Sequence, residues 1–321
     1  MDEVFRHLSN EGRSSWSVAR GSIQNPAGKS GVFGTGIPAS SIGDPLVSVI
    51  VPSYNHAGFI RQAIYSVANQ TYRNVELIVI DDGSRDHSPS VISDTLEGLA
   101  AIKAQLFVQD NKGAHDAINR GILLARGEYI AILNSDDFYY PCRMEKLVGK
   151  ARRDGCEFVF SKVDFVSSNN LLERHRGKSA YIQAYEASKH LPSLGFALMG
   201  YNLAVTTSNC FMKKSLVDRV GLFHDYIIVH DWDYLLRVLL ESEPCLLDES
   251  LLAYRVHEHN TLSRLGHVGP SETQMIFGHY ARAVAAGKAP NKLAPQRGSR
   301  RPARKTRRLS MVKCGHRLSP V

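Results

Sequence analysis

Three short loop motifs, each set directly after an apolar run, constrain this chain more than any other feature: Pro52-Ser53-Tyr54-Asn55, Asp81-Asp82-Gly83-Ser84 and Asn134-Ser135-Asp136-Asp137. The runs before them, Val47 to Val51, Glu76 to Ile80 and Tyr129 to Leu133, are too short and too β-branched to be helices and read as buried strands. Helical spacing fills the gaps: Phe59, Ile60, Ala63, Ile64 and Val67 between Gly58 and Asn69, then Ser88 to Leu99, then Ala114 to Ala125, with a further strand at Gln105 to Val108. Strands alternating with single helices predict an α/β fold with a mostly parallel, Rossmann-like central sheet and right-handed crossovers. In such sheets, loops at the carboxyl ends of the strands are where ligands bind.

Past Pro141 the rhythm breaks. We expect a helix over Arg143 to Arg153, a strand pair near Glu157 to Val166, and a loose polar stretch from Ser167 to Lys178. Helices follow at Ser215 to Val220, Asp231 to Glu241 and Ser271 to Ala286, with a strand at Ser250 to Val256. The resulting organisation is an irregular extension over 1–44, a folded domain over 45–287 whose halves meet near 141, with a helical end over 265–287, and a tail over 288–321.

Charge is informative only once it is located. The net +8 comes from the tail, which carries 11 Lys or Arg and no Asp or Glu, whereas the rest holds 28 basic against 31 acidic residues. The tail is therefore expected to be solvated, with peripheral contact to an anionic membrane as its other use. A nucleic-acid role would rest on the tail alone and is not expected. No apolar run approaches the ~18 residues needed to span a bilayer, and Asp2 and Glu3 are wrong for a secretory signal. Five scattered cysteines without a CxxC pair fit a reducing cytoplasm better than a disulfide framework or a zinc site.

The motifs narrow the chemistry. The turn after the first strand lacks the GxGxxG of dinucleotide folds and the Walker loop of nucleotide triphosphatases. Tyr54 and Asn55 can instead flank a nucleobase, or simply form a turn. Asp81 and Asp82 can accept from a base or ribose, or close an Asp-Gly turn with Asp86 capping the next helix. Asp136 and Asp137 repel one another unless a cation or good donors lie nearby, and oxygen ligands there suit Mg²⁺ or Mn²⁺. Asp231, in His230-Asp231-Trp232-Asp233 at a helix start, is an N-cap or a general base. His257 ends the strand Tyr254-Arg255-Val256-His257 and is structural or a metal ligand.

Taken in order, Val49-Ile50-Val51-Pro52-Ser53-Tyr54-Asn55, Ile80-Asp81-Asp82-Gly83-Ser84, Gly127-Glu128-Tyr129-Ile130 and Asn134-Ser135-Asp136-Asp137 with Pro141 resemble the family 2 glycosyltransferases of the GT-A fold, over about Val47 to Arg264. The resemblance implies a nucleotide-sugar half over 45–141 and an acceptor half over 142–264. It implies an inverting, hexosyltransferase-type enzyme that moves a sugar from a nucleotide-sugar, most often a UDP-sugar, to a saccharide or lipid-linked acceptor in surface polysaccharide or glycolipid synthesis. Pro52, Tyr54, Asn55, Asp81, Asp82, Lys112, Asn134 and Asp136 would bind the nucleotide, Asp136, Asp137 and His257 the metal, and Asp231 would be the base. The place implied is the cytoplasm, or the inner membrane surface. Two departures stand out: Asn134 replaces the usual first Asp, and His230 stands where many members have Glu. The competing expectation is a catalytically inactive GT-A-fold scaffold. A sugar-1-phosphate nucleotidyltransferase is disfavoured, because it needs a basic Gly-rich loop after the first strand.

Overall fold

The structure, a computed structural model, describes residues 43–100, 102–172, 176–258, 260 and 267–295; nearly all of the expected N-terminal extension and most of the basic tail lie outside them. The first half follows the predicted alternation: β1 (Val47–Ser53), α1 (Ile60–Ala68), β2 (Val75–Asp81), α2 (Ser88–Glu97), β3 (Lys103–Val108), α3 (Ala114–Leu124) and β4 (Tyr129–Ile132). The second half contains β5 (Phe138–Tyr139), α4 (Arg143–Asp154), β6 (Phe158–Val166), α5 (Arg176–Ser188), α6 (Leu194–Leu198), a 3₁₀ turn (Thr207–Asn209), β7 (Phe211–Lys213), α7 (Lys214–Val220), α8 (His230–Glu241), β8 (Cys245–Arg255) and α9 (Gly269–Ala285).

All the strands join one sheet in the order β3-β2-β1-β4-β7-β6-β8-β5. Strands β3, β2, β1 and β4 run parallel. Strand β7 turns the direction by pairing antiparallel with β4 and with β6, while β6 and β8 are parallel to each other. The period-2 side-chain alternation of the central strands feeds two separate cores. Val47, Val49, Val51, Leu77 and Val79 pack on one face with α1 and α4. Ile50, Ile78, Ile80, Ile130 and Ile132 pack on the other with α3 and α8. A smaller cluster of Val229, Leu236, Leu239, Ile276 and Tyr280 fastens α9 onto α8.

The second half departs from expectation in three places. The strand pair near 157–166 is a single continuous strand, because β6 finds partners in β7 and β8 rather than in its own hairpin. The loose polar stretch is shorter than expected, with α5 starting at Arg176. Cys156 and Cys245, 89 residues apart in sequence, are joined as a disulfide, against the expectation of thiols throughout. They stand just before β6 and at the start of β8, neighbouring parallel strands that bring their Cα atoms to 6.1 Å, within reach of a bridge. No helix among the described residues is long and apolar enough to cross a membrane.

Candidate active site

The first two motifs spend most of their polar atoms on one another. Asn55, at φ 54°, donates its backbone N–H to Ser84 Oγ at 2.9 Å and accepts from the Arg85 N–H at 2.7 Å. The N–H groups of His56 and Ala57 bond Ser88 Oγ and Asp86. Asp81, fully buried, accepts from the Ser84 N–H at 2.9 Å and from its hydroxyl at 2.7 Å. Asp82, also buried, accepts from Gln109 Nε2 at 2.8 Å, the Lys112 N–H at 2.9 Å and the Gly113 N–H at 2.8 Å. Gly83 is required here: at φ +71° an added Cβ would lie 2.9 Å from the Asn111 nitrogen. Asn55, Ser84 and Asp86 tie the first loop to the second, and Asp82 ties the second to the loop before α3, forming one rim on which Tyr54 and Lys112 present exposed side chains. Pro52 is buried within β1.

The third motif supplies the most charged cluster. Asp136 is buried and its Oδ2 lies 3.0 Å from His257 Nε2. His56 approaches from the first loop: its Nδ1 is 2.7 Å from Ser135 Oγ and its ring meets His257 edge-on at 5.8 Å. Ligand-type atoms of His56, Asp136 and His257 all lie within 4.8 Å of one another. Asp137 faces elsewhere, accepting from Ser208 Oγ at 2.5 Å and from the Arg255 N–H at 2.9 Å. The two carboxyls are thereby made unequal. Burial alone would raise Asp136, but the His257 hydrogen bond and the charges of His56 and His257 outweigh it and hold the group below its ordinary value. Burial first, and the Asp136 charge second, push Asp137 well above the ordinary carboxylate value. Splitting a pair in this way removes the repulsion that two adjacent carboxylates otherwise suffer.

Asn134 is tied to the 3₁₀ turn: its Nδ2 donates to Thr206 Oγ1 at 2.9 Å and its Oδ1 accepts from Thr207 Oγ1 at 2.8 Å. Its amide here both donates and accepts, and it adds no third charge beside Asp136 and Asp137. Arg255, almost fully buried, donates Nε to the Asp136 carbonyl at 2.7 Å and Nη2 to Gln62 Oε1 at 2.8 Å. It lies 4.8 Å over the Phe59 ring. Sheet order brings this about: β5, which follows the acidic motif, pairs antiparallel with β8, which ends at Arg255 and leads to His257.

Asp231 occupies the first turn of α8. Its Oδ1 accepts from the Trp232 N–H at 2.7 Å and its Oδ2 from Asn202 Nδ2 at 2.9 Å. Burial raises its carboxyl above the ordinary value, against the lowering influence of His230 and these donors. Asp233 instead pairs with Arg237 at 2.9 Å and His224 at 3.0 Å. The Tyr254 phenol on β8 feels burial first, then the charges of Asp137, Asp136 and Asp231, and its acidity is suppressed by all of them.

His56, Ser208, Arg255 and Asn202 were not singled out from sequence as functional. His56, which directly follows the first loop motif, and Arg255, within Tyr254-Arg255-Val256-His257, had a usable signal; Asn202 and Ser208 had none.

The profile described as Glycosyl transferase family 2 matches residues 48–221. A glycosyltransferase of Rickettsia typhi is 31% identical over 226 residues, covering 68% of this chain and 66% of that protein. One from Nostoc is 34% identical over 229 residues, covering 67% and 66%. The chain thus spans just under two thirds of the length of these relatives. Among solved structures, Staphylococcus aureus TarS in complex with UDP-GlcNAc matches with a TM-score of 0.58 at 18% identity, over 76% of this chain and 69% of that one. The mannosyltransferase PcManGT from Pyrobaculum calidifontis, in complex with GDP-Man and Mn²⁺, matches with a TM-score of 0.53 at 18% identity, over 78% and 76%. With the parallel half-sheet, the loop rim and the His–Asp cluster in place, this chain belongs to glycosyl transferase family 2 and adopts the GT-A fold.

Proposed function

We propose that this glycosyltransferase inverts configuration, moving a hexose from a nucleotide-sugar to an acceptor hydroxyl, with Asp231 as general base and the His56–Asp136–His257 cluster as the metal end. The observation that carries the reading is the pairing of an N/O ligand cluster with a separate, partly buried carboxylate held by Asn202 and the Trp232 N–H. Two imidazoles and one carboxylate fit Mn²⁺ better than Mg²⁺, which prefers oxygen ligands. When bound, a divalent cation there neutralises charge on the donor diphosphate.

The chain's own groups do the rest. The rim built by Asn55, Asp81 and Asp82 holds Tyr54 and Lys112 where the nucleoside and its phosphates would lie, and Pro52 and Asn134 fix the strand ends behind them. Asp137 stays bound to Ser208 and the Arg255 N–H, which holds the loop bearing Asp136. The ionised Asp231 takes the acceptor proton as the acceptor oxygen bonds the anomeric carbon and the sugar–diphosphate bond breaks, its electron pair leaving on the diphosphate. A positioned carboxylate of this kind contributes roughly 10² to 10⁴ in rate. A UDP-sugar donor and a saccharide or lipid-linked acceptor in surface polysaccharide or glycolipid synthesis complete the reading; the donor class is supported by UDP-GlcNAc and GDP-Man in the structural neighbours.

The test is a thermal-shift panel of UDP-, GDP- and dTDP-sugars with Mn²⁺, Mg²⁺ or EDTA, followed by turnover of wild type and Asp231→Asn. A ligand at 100 times its dissociation constant adds about 2.7 kcal/mol of stability. We expect a metal-dependent shift with one nucleotide, and loss of turnover with binding retained in Asp231→Asn. Full turnover by that variant would remove Asp231 from the role of base. Folded protein that shifts with no nucleotide-sugar would favour the inactive scaffold.

A further inference from the structure

The proposed site has two ends, and one short segment bonds the base at one and, at the other, Asn134 and Asp137 of the motif that carries Asp136. Asn202 donates Nδ2 to Asp231 at 2.9 Å. The orientation of its amide is fixed, because its Oδ1 accepts from the Ala204 N–H at 3.2 Å, which leaves the donor end for the carboxylate. Three residues on, Val205 has φ +71°, a conformation that is a genuine outlier for a β-branched side chain and persists only where the surroundings over-determine it. Thr206 and Thr207 then bond Asn134, and Ser208 bonds Asp137. Asn209 locks the far end. Fully buried, it accepts from Arg143 Nη2 at 2.9 Å and from the Ser161 N–H at 3.0 Å, and donates Nδ2 to the carbonyls of Ser161 at 2.8 Å and Ala204 at 3.0 Å.

We propose that Asn202 is a positioning residue for Asp231, and that Asn202 to Asn209 form a strut fixing this carboxylate relative to Asp136 and Asp137. The inference rests on the reading of Asp231 as base. A donor held on Oδ2 does two things. It sets which way the carboxylate faces, and it stabilises the ionised form that must accept the proton. Among the described residues, titratable groups that interact with Asp231 include His230 on the same helix, Cys210 at the entry to β7 and Tyr254 on β8. None of these is altered by substituting Asn202.

The experiment is a ¹³C-carboxyl NMR titration of the Asp231 resonance, assigned with Asp231→Asn, in wild type, Asn202→Ala and Asn202→Asp. The acidic limb of kcat/KM is measured on the same proteins with whichever nucleotide-sugar turns over. Losing the donor and then adding a like charge should move the Asp231 midpoint upward in the order wild type, Ala, Asp. The acidic limb should follow in the same order, with KM for the nucleotide-sugar unchanged. If Asn202→Ala does not fold, Asn202→Ser takes its place. Superimposed midpoints, or an Asp variant no higher than the Ala variant, overturn the proposal even where Asp231→Asn is inactive. Ordered midpoints together with wild-type turnover in Asp231→Asn overturn the base reading, and this proposal with it.

Discussion

Helix α9 offers a sharp test of how the loop leading to Asp231 is held. Glu272, buried in its first turn, accepts from the N–H groups of Ile227 at 2.8 Å, Ile228 at 2.9 Å and Val229 at 3.3 Å. These residues form the loop that delivers the chain into α8, and Asp231 follows two residues after Val229. A hydrogen bond to a charged group contributes about 1.5–3 kcal/mol. The two short bonds dominate, the third is long, and water can reach part of the loop, so Glu272→Ala should destabilise by about 3 kcal/mol. For a domain of this size about 1 kcal/mol corresponds to about 2–4 °C, which predicts a Tm lower by about 6–12 °C. Glu272→Gln keeps one acceptor oxygen but turns an NH₂ toward backbone donors, so it should fall between the two. Differential scanning calorimetry with urea midpoints measures both. The same variants should lose kcat while KM for the nucleotide-sugar holds, because the loop leads to Asp231 and not to the loop rim. A Glu272→Ala protein whose Tm stays within about 2 °C of wild type would refute the reasoning.

Three further outcomes are expected. Asp231 has a raised carboxyl, so it contributes stability only as pH falls through its folded pKa and opposes folding when ionised above it. Asp231→Asn should therefore raise Tm at neutral pH, with the gain fading on acidification, as a pH series of melts would show. Gly83→Ala places a side chain at φ +71° and 2.9 Å from backbone, which should destabilise by about 1–3 kcal/mol in a urea titration. His56→Ala should weaken Mn²⁺ binding in calorimetry while leaving the fold intact, since removing one of three candidate ligand side chains would leave an incomplete site; unchanged affinity would exclude His56 as a ligand.

Legibility in the sequence divides along the chain, for a physical reason. In β1, β2 and β4 and in the helices between them, the signal is local: a β-branched run, a turn, then apolar residues at helical spacing. The GT-A fold could be inferred from that half. Beyond Pro141 the structure depends on partners far apart. Strand β6 is continuous because β7 and β8 flank it, and the two-residue β5 exists only because β8 pairs with it. The candidate site divides likewise. Asp136, Asp231 and His257 lie in recognisable motifs, but Asn202 lies 29 residues from Asp231 and Ser208 71 residues from Asp137. Nothing local marks a side chain whose role is to bond another that far away. Asp81 and Asp82 lie at the expected strand end, but no local pattern shows that their carboxylates also bond Ser84, Gln109 and the N–H groups of Lys112 and Gly113.

The Cys156–Cys245 bond closes a covalent ring that encloses Asn202, Ser208 and Asp231, while His56, Asp136 and His257 stay outside it. A protease that cuts the surface bend near Leu191, whose side chain is 42% exposed, would therefore open the ring without releasing a fragment. The nicked protein would migrate as one species until a reductant is added and would then part into two pieces, with Asn202 and Asp231 together on the C-terminal piece and Asp136 on the other.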